Sequence, residues 1–189
     1  VIKGREKDTV RIPYQEIKKD INDVRVKYAI KINRKAFSVK NKRLLSAYLN
    51  IILGANFSAT SPLYEKYKNE NIVTSLNRSM SIIDNHIVII IEAFTKDGDR
   101  FIKELEKDIK KLSLSKDEFE RKRKRYLKSY ILDFDNIEDV EYIIAISLMT
   151  ENKISYKAYS EIMSLDYNIA LEVLKSINTD NVSIIKTVK

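Results

Sequence analysis

The stretch from residue 44 to residue 83 constrains the fold of this chain more than any other part of the sequence. Its first third is too densely apolar for a strand and predicts a mostly buried helix, which Gly54 is well suited to end. After a turn, Ser61 and Pro62 match the N-cap and the first position of a second, short helix. An extended run then begins at residue 72. The stretch therefore predicts a helix, a turn, a short helix and a strand, in that order.

That extended run predicts one half of a β-hairpin. Residues 72–83 and 86–94 are both rich in residues that favour strands, and the Asp84-Asn85 pair lies between them. Asp and Asn can occupy the positive-φ positions of a tight turn, so the two runs are expected to pair antiparallel.

Three other segments have strand patterns. In residues 24–32, apolar side chains alternate with mostly basic ones, which predicts a strand with one buried and one solvated face. The short segment 10–14 contains Pro13, which confines it to an edge or to the start of a strand because proline has no N–H to donate. Residues 182–188 predict a final strand.

The second half of the chain is mostly helical in pattern. Residues 99–112 have apolar side chains at helical spacing, and the capping box of residues 115–118 begins a long helix. A second capping box, residues 135–138, predicts a helix through Met149, and two shorter helices are expected near residues 156–163 and 167–177. The residues expected to be buried on the helix through Met149 are Val140, Ile143, Ile144 and Leu148.

This order of elements predicts an α+β fold. Hairpins with helices grouped between them favour an antiparallel sheet of about four to six strands, covered on one face by helices. The chain contains no repeat of fixed period and no Gly-, Pro- or Ser-rich linker, so residues 1–189 are expected to form one domain. Because the sequence starts at Val1 rather than at Met, we expect this domain to be a fragment of a longer protein.

The residue types exclude several kinds of chemistry. With no Cys and one histidine, the chain cannot build a thiolate zinc site, a cysteine nucleophile or an HxxEH motif. His86 begins a hydrophobic strand, where a lone histidine is structural in roughly nine of ten cases. We therefore expect no catalytic residue, no metal ligand and no cofactor in this chain. The absence of Cys also fits a reducing compartment, so we expect a cytoplasmic protein.

Positive charge is the remaining chemical signal. The formal net charge is +8, and residues 121–125, Arg-Lys-Arg-Lys-Arg, form the densest basic run. Such a run can follow phosphates, but a solvated helix face explains it better, by about three to one, so we expect nucleic-acid binding to be the weaker interpretation. The longest apolar run, residues 86–94, is too short to span a bilayer, which takes roughly 20 residues.

Several motifs occur in an order that matches a known family. Residues 52–54 end a helix in Ile-Leu-Gly, Ser58 lies in the following turn, and residues 61–65 are Ser-Pro-Leu-Tyr-Glu. Residues 117–121 form an acidic helix start, and Leu165-Asp166 precede the last helix. In this order, the motifs resemble the C-terminal type of domain in the insulinase-like, M16, zinc metallopeptidases.

The resemblance covers the chain from about residue 24 to its end, and it implies a two-domain protein. An N-terminal domain would carry HxxEH and a further Glu that bind zinc, and the C-terminal domain would close over the peptide substrate. The Ser-Pro-Leu-Tyr-Glu form is similar to that of a bacterial subgroup associated with modification of elongation factor P. The partners implied are the N-terminal domain, a peptide, and another M16-like chain in a homo- or hetero-oligomer.

The resemblance also implies two site residues. Many active members have an Arg after the short helix and a Tyr seven residues later, which help to bind the peptide, and Lys68 and Ser75 stand at those positions. Lysine lacks the bidentate fork of arginine, and serine is shorter than tyrosine. The resemblance implies that this chain alone is not an enzyme, whereas the parent protein would be a zinc metalloendopeptidase or an inactive homologue that serves as a scaffold for an active partner.

Overall fold

The computed structural model describes residues 7–151 and 158–189. The five strands in these residues are β1 (Tyr14–Lys18), β2 (Val24–Asn33), β3 (Ser75–Ile83), β4 (His86–Thr95) and β5 (Val182–Val188). The α-helices described are α1 (Lys42–Phe57), α2 (Pro62–Asn69), α3 (Gly98–Ile109), α4 (Lys116–Leu132), α5 (Ile137–Glu151), α6 (Ala158–Met163) and α7 (Tyr167–Lys175), and a short 3₁₀ helix spans Arg34–Ala36.

The five strands form one sheet in the order β1-β5-β2-β4-β3. All neighbouring pairs are antiparallel except β1 and β5, which are parallel. The predicted α+β class and strand number are confirmed, and the parallel pair makes the sheet mixed. Pro13 lies directly before β1, and its carbonyl oxygen accepts a hydrogen bond from the Ile184 backbone N–H at 2.8 Å. The predicted strand at residues 10–14 is thus wrong in position, because β1 runs from Tyr14 to Lys18 and Pro13 lies just before it, where its missing N–H costs no ladder bond.

The alternation of β2 and the turn of the β3–β4 hairpin are as predicted. Val26, Tyr28, Ile30 and Ile32 are each at most 2% exposed and face the helices. The residues between them lie on the other side of the sheet because successive strand side chains point in opposite directions. In the hairpin turn Asp84 has a φ of 52°, a conformation that Asp tolerates better than most residues, whereas Asn85 does not have a positive φ.

Helix α1 is the centre of the helical layer. It contacts β3 on one side and α2, α4, α6 and α7 on the others. Asn41 caps its N-terminus, and the helix continues through Gly54 to Phe57, so the prediction that Gly54 ends the helix is wrong. A Cβ at position 54 would lie 3.2 Å from Nη2 of Arg78 on β3. Glycine is used here for close approach and not for a left-handed cap.

The predicted starts of α2, α3 and α4 are confirmed in position to within a residue. The Ser61 hydroxyl accepts a hydrogen bond from the Tyr64 N–H at 3.2 Å, and Ser115 accepts one from the Glu118 N–H at 3.1 Å. Asp97 caps α3 through the Arg100 N–H at 3.0 Å. Each cap satisfies an N–H that has no partner inside its helix.

The predicted burial of α5 is wrong. Ile144 and Leu148 are 36% and 46% exposed, and Val140 and Ile143 are only half-buried. The helix starts one residue later than the predicted capping box places it, because Asn136 and not Asp135 is the cap: Asn136 Oδ1 accepts a hydrogen bond from the Glu138 N–H at 3.0 Å. Within the described residues no other element packs extensively against α5, so its apolar side chains lack a covering layer. The predicted start of the next helix, near residue 156, lies outside the described residues.

None of the helices in the described part of the chain is both long enough and apolar enough to cross a membrane.

Candidate functional site

One face of the sheet is not covered by any of the helices in residues 7–151 and 158–189, and we call it the open face. It carries the β2 residues Arg25, Lys27, Ala29 and Lys31 and, opposite them in register, the β4 residues Phe94, Glu92, Ile90 and Val88. These side chains are half-buried, whereas the alternate residues of both strands are in the core. Across β4, the edge strand β3 adds a row of small polar side chains to the same face, Ser75, Asn77, Ser79 and Ser81.

An ion-pair network orders the middle of the open face. Arg25 Nε donates a hydrogen bond to Glu92, and Lys27 Nζ lies 3.8 Å from the same carboxylate. The Arg25 guanidinium also lies over the Phe94 ring, 5.5 Å from its centroid. Glu92 is therefore shared by two cations, and Arg25 is held between a carboxylate and an aromatic face.

The two predicted site residues lie near each other at the N-terminal end of β3, at one corner of the sheet. Lys68 is in the last turn of α2, and its Nζ donates a hydrogen bond to the carbonyl oxygen of Thr74 at 3.0 Å. Ser75, the next residue along the chain, is the first residue of β3 and pairs with Phe94. The tight link between α2 and β3 passes through Asn71, which has a φ of 54°. The lysine cation is thereby placed at the start of the edge strand.

A partly buried hydrogen-bonded cluster between α2 and α3 fixes this corner. The Tyr67 hydroxyl and the Lys66 ammonium both donate hydrogen bonds to Asp108 Oδ2 on α3, at 3.0 and 2.8 Å. Burial raises the pKa of the Tyr67 phenol, and the negative charge of Asp108 raises it further. The hydrogen bond to Asp108 raises the pKa of Lys66. Because Tyr67 precedes Lys68 in the helix, this cluster sets the position of Lys68.

Strand β3 is the last strand of the sheet on this side. An edge strand has backbone N–H and C=O groups that no neighbouring strand pairs, and an extended peptide can add to it as a further strand. Lys68 and Ser75 lie at the N-terminal end of this edge.

His86 lies at the far end of β4, where the residues before β1 cross the sheet. Its ring is 3% exposed and Nε2 lies 2.8 Å from Asp8 Oδ1, while Nδ1 is buried without a hydrogen-bond partner. Residues 7–151 and 158–189 contain no group of three His, Asp or Glu side chains that could hold a metal ion. The described residues therefore do not fit a zinc ion, since a catalytic zinc needs three protein ligands.

The basic run of α4 is less solvated than its composition predicts. Lys122 is only 8% exposed and faces α1, and Arg123 donates a hydrogen bond to the Met163 carbonyl oxygen at 2.7 Å. The helical period would have revealed this, because Lys122 is three residues after the buried Phe119. The prediction that residues 121–125 form a solvated helix face is therefore wrong for Lys122. Two of the five cations are thus engaged within the fold, which weakens the nucleic-acid interpretation.

Comparison with known proteins gives a fold but no sequence relative. No family model and no curated protein matches this sequence. Among solved structures, an M16-like peptidase candidate from Alicyclobacillus acidocaldarius matches 93% of the chain with a TM-score of 0.78 and 11% identity. The inactive peptidase domain of a zinc protease candidate from Bordetella parapertussis matches 92% of the chain, with a TM-score of 0.71 and 11% identity. A chain of Complex III2 from Candida albicans matches 92%, with a TM-score of 0.69 and 17% identity.

The chain thus has the fold of M16-like peptidase domains, as its motif order predicts. It spans 43% of the Alicyclobacillus chain and 45% of the Candida chain, but 94% of the Bordetella domain. In the Alicyclobacillus and Candida chains, the matched fold is therefore one part of a longer chain.

Proposed function

We propose that this chain is a noncatalytic domain that encloses a peptide substrate within an M16-like protein. The observation that carries the proposal is the M16-like fold over nearly the whole chain, in a part of the sequence whose described residues do not fit a zinc ion. The motif resemblance implies a C-terminal domain that relies on another domain for its zinc ligands.

The open face supplies the surface that such a domain needs. It combines the half-buried apolar side chains of β4 with the edge of β3, so a peptide could add as a strand and rest its side chains on the sheet. Lys68 would act as a point charge at the end of that edge, attracting a peptide carbonyl or carboxylate. Ser75 would leave more room beside it than a tyrosine would.

The partner we propose is a second M16-like domain facing the open face. It would hold the zinc through its own residues, and the metal would polarise the peptide carbonyl. This chain would contribute enclosure and orientation, which exclude water and align the peptide.

The first arm of the test measures metal and catalysis. We expect the purified protein dialysed against zinc at pH 7 to hold less than one zinc per chain and to leave an unstructured fluorogenic peptide intact. Tight one-to-one zinc binding that His86→Ala abolishes, with the fold retained by circular dichroism, would overturn the noncatalytic assignment.

The second arm measures enclosure. Binding of a fluorescein-labelled unstructured peptide, followed by fluorescence anisotropy, is expected to weaken about three- to tenfold in Lys68→Ala, the range that corresponds to one lost hydrogen bond. Lys124→Ala, which removes an exposed lysine of α4, is the matched control and should bind like the wild type. Equal affinities for wild type and Lys68→Ala would remove Lys68 from the site.

A second function is favoured by the structural neighbours. The same fold occurs in an inactive peptidase domain and in a chain of Complex III2. The chain could therefore belong to an inactive homologue that serves as a scaffold for an active M16-like subunit. Copurification with an intact HxxEH-containing chain, combined with no HxxEH in its own protein, would favour this alternative.

A further inference from the structure

A small cavity lies on the helix-covered side of the sheet, between α1, β3 and α4. Its volume is ≈ 230 Å³, which is below the range of about 300–1,000 Å³ typical of sites for drug-sized ligands. Three cationic side chains line it, Arg78, Lys122 and Arg125, together with the hydroxyls of Ser58 and Ser129. None of the described residues that line the cavity is acidic.

Arg78 enters the cavity from β3. Its position in the strand is one of the alternate positions that face the helices, where its neighbours are Leu76 and Met80. The guanidinium lies against the backbone of α1, because a Cβ at Gly54 would meet Arg78 Nη2 at 3.2 Å. Arg78 makes no ion pair within the described part of the chain. Arg78 is half-buried, and a guanidinium that is partly removed from water without a carboxylate is unfavourable unless another anion neutralises it.

Lys122 enters the same cavity from α4. It is 8% exposed, and its Nζ donates a hydrogen bond to Ser58 Oγ at 2.9 Å. Burial lowers the pKa of Lys122, and the positive charges of Arg121 and Arg125 lower it further. Burial, followed by the charge of Arg125, also lowers the pKa of Arg78. The fold therefore holds the positive charges of Arg78, Lys122 and Arg125 close together in a cavity where two of them are partly removed from water.

We propose that this cavity binds a small, doubly charged oxyanion of the phosphate class. Arg78 would donate through its planar fork, which matches two oxygens of such an ion, and Lys122 would donate as a point charge. The Ser58 hydroxyl accepts from Lys122 and can donate its own proton to the ion. Arg125, exposed at the mouth, would attract the ion and complete its neutralisation.

The site does not depend on the proposed peptide function. It lies across the sheet from the open face and uses neither Lys68 nor Ser75. The phosphate could be the free ion or the end of a phosphomonoester, since both present the same oxygens.

Isothermal titration calorimetry of the purified protein tests the site, with inorganic phosphate and adenosine monophosphate as probes and with chloride holding the ionic strength constant. We expect saturable one-to-one binding of phosphate. Tighter binding of adenosine monophosphate than of phosphate would identify a phosphomonoester as the source, and the reverse order would identify the free ion. Absence of saturable binding for both probes would overturn the proposal.

Substitutions locate the binding on the cavity. Arg78→Met and Arg125→Met are each expected to weaken phosphate binding about tenfold or more, as the loss of a charge-assisted hydrogen bond implies. Arg78→Met keeps an unbranched chain and removes a half-buried charge that has no carboxylate partner, so its thermal midpoint without phosphate should equal or exceed that of the wild type. Arg125 is exposed, so its variant tests the site without disturbing the core.

Lys124→Met is the matched control. Lys124 is on the same helix but is exposed and does not line the cavity. Its variant should bind phosphate like the wild type. Equal losses in all three variants would show a general charge effect, and unchanged binding in Arg78→Met and Arg125→Met would place the ion elsewhere; either result contradicts the proposal.

Discussion

Helices α1 and α5 are similar in length and both rich in apolar residues, yet one is the core of the protein and the other lies largely in solvent. Helix α1 buries most of its side chains, including Leu45, Leu49 and Ile52, each fully inaccessible. On α5, Ile137, Tyr142 and Met149 are 75%, 68% and 82% exposed. An apolar composition thus predicts that a helix can be buried, whereas the surrounding elements decide whether it is.

The difference follows from what the topology places around each helix. Strand β3 and four helices surround α1. Helix α5 follows α4 along the chain, and no described element packs extensively against it. Contiguous exposed apolar surface of this kind is typical of interaction surfaces. The same sequence property therefore contributes to stability in α1 and leaves apolar area in water in α5.

The same substitution in the two helices should give the largest contrast. Leu49→Ala is expected to lower the free energy of unfolding by about 2–5 kcal/mol, because it leaves a cavity in the core. Leu148→Ala should change it by about 0.5 kcal/mol or less, since Leu148 is 46% exposed. Urea denaturation followed by circular dichroism measures both. A cost for Leu148→Ala near that for Leu49→Ala would show that α5 is covered in solution.

The second contrast is in how the free energy of unfolding depends on alkaline pH, and it compares a tyrosine of the core with a tyrosine of α5. Burial, together with the negative charge of Glu106, raises the pKa of Tyr28 from 10.0 to about 12. The pKa of Tyr28 is higher in the folded state than in the unfolded state. Its contribution to the free energy of unfolding is therefore complete below pH 10 and is lost as the pH rises from 10 towards 12. The loss approaches about 1.4 kcal/mol per pH unit in this window.

Tyr28→Phe should therefore flatten the fall in unfolding free energy between pH 10 and 12 relative to the wild type. The exposed Tyr142 offers the matched substitution, and Tyr142→Phe should reproduce the wild-type profile. Chemical denaturation at a series of pH values makes the measurement. Parallel profiles for Tyr28→Phe and the wild type would mean that Tyr28 does not contribute to the alkaline transition.

The smallest contrast is between two helix caps. Ser115→Ala removes the side-chain acceptor for the Glu118 N–H at the start of α4 and should lower the free energy of unfolding by about 1 kcal/mol. Asn136→Ala removes the equivalent acceptor at the start of α5. Because α5 contributes little to the core, this loss should chiefly increase local fraying.

Native-state hydrogen exchange distinguishes the two caps. Ser115→Ala should lower protection throughout the core, whereas Asn136→Ala should lower it only in α5. Global loss of protection in Asn136→Ala would contradict the peripheral role of α5.

Local signals predicted much of the fold. The alternation of β2, the turn at Asp84 and the caps at Ser61 and Ser115 depend on neighbours within a few residues, and all are present. Gly54 was wrongly predicted to end α1, because the local preference of glycine for helix ends is overridden by its contact with Arg78 on a different element.

Of the two candidate sites, the sequence suggested the residues of one and did not predict the other. The motif order placed Lys68 and Ser75 at one corner, and the structure brings Lys68 to the carbonyl group just before Ser75, although their roles remain predictions. The sequence patterns did not predict the cationic cavity. One sign of it was present in the sequence, because Arg78 interrupts the apolar residues on the face of β3 that packs against the helices. Nothing in the local pattern, however, joins Arg78 to Lys122.

By itself, the sequence determined the order and ends of most elements, the alternation of the strands and the chemical groups available, including a single histidine and no cysteine. Only the tertiary structure decided that α1 and not α5 forms the core, and that Arg78 and Lys122 share a cavity between α1, β3 and α4. The physical reason is the separation along the chain over which each kind of interaction acts. Hydrogen bonds, caps and side-chain periodicity act between near neighbours in the chain, whereas burial and the meeting of distant charges depend on how the whole sheet and helical layer pack.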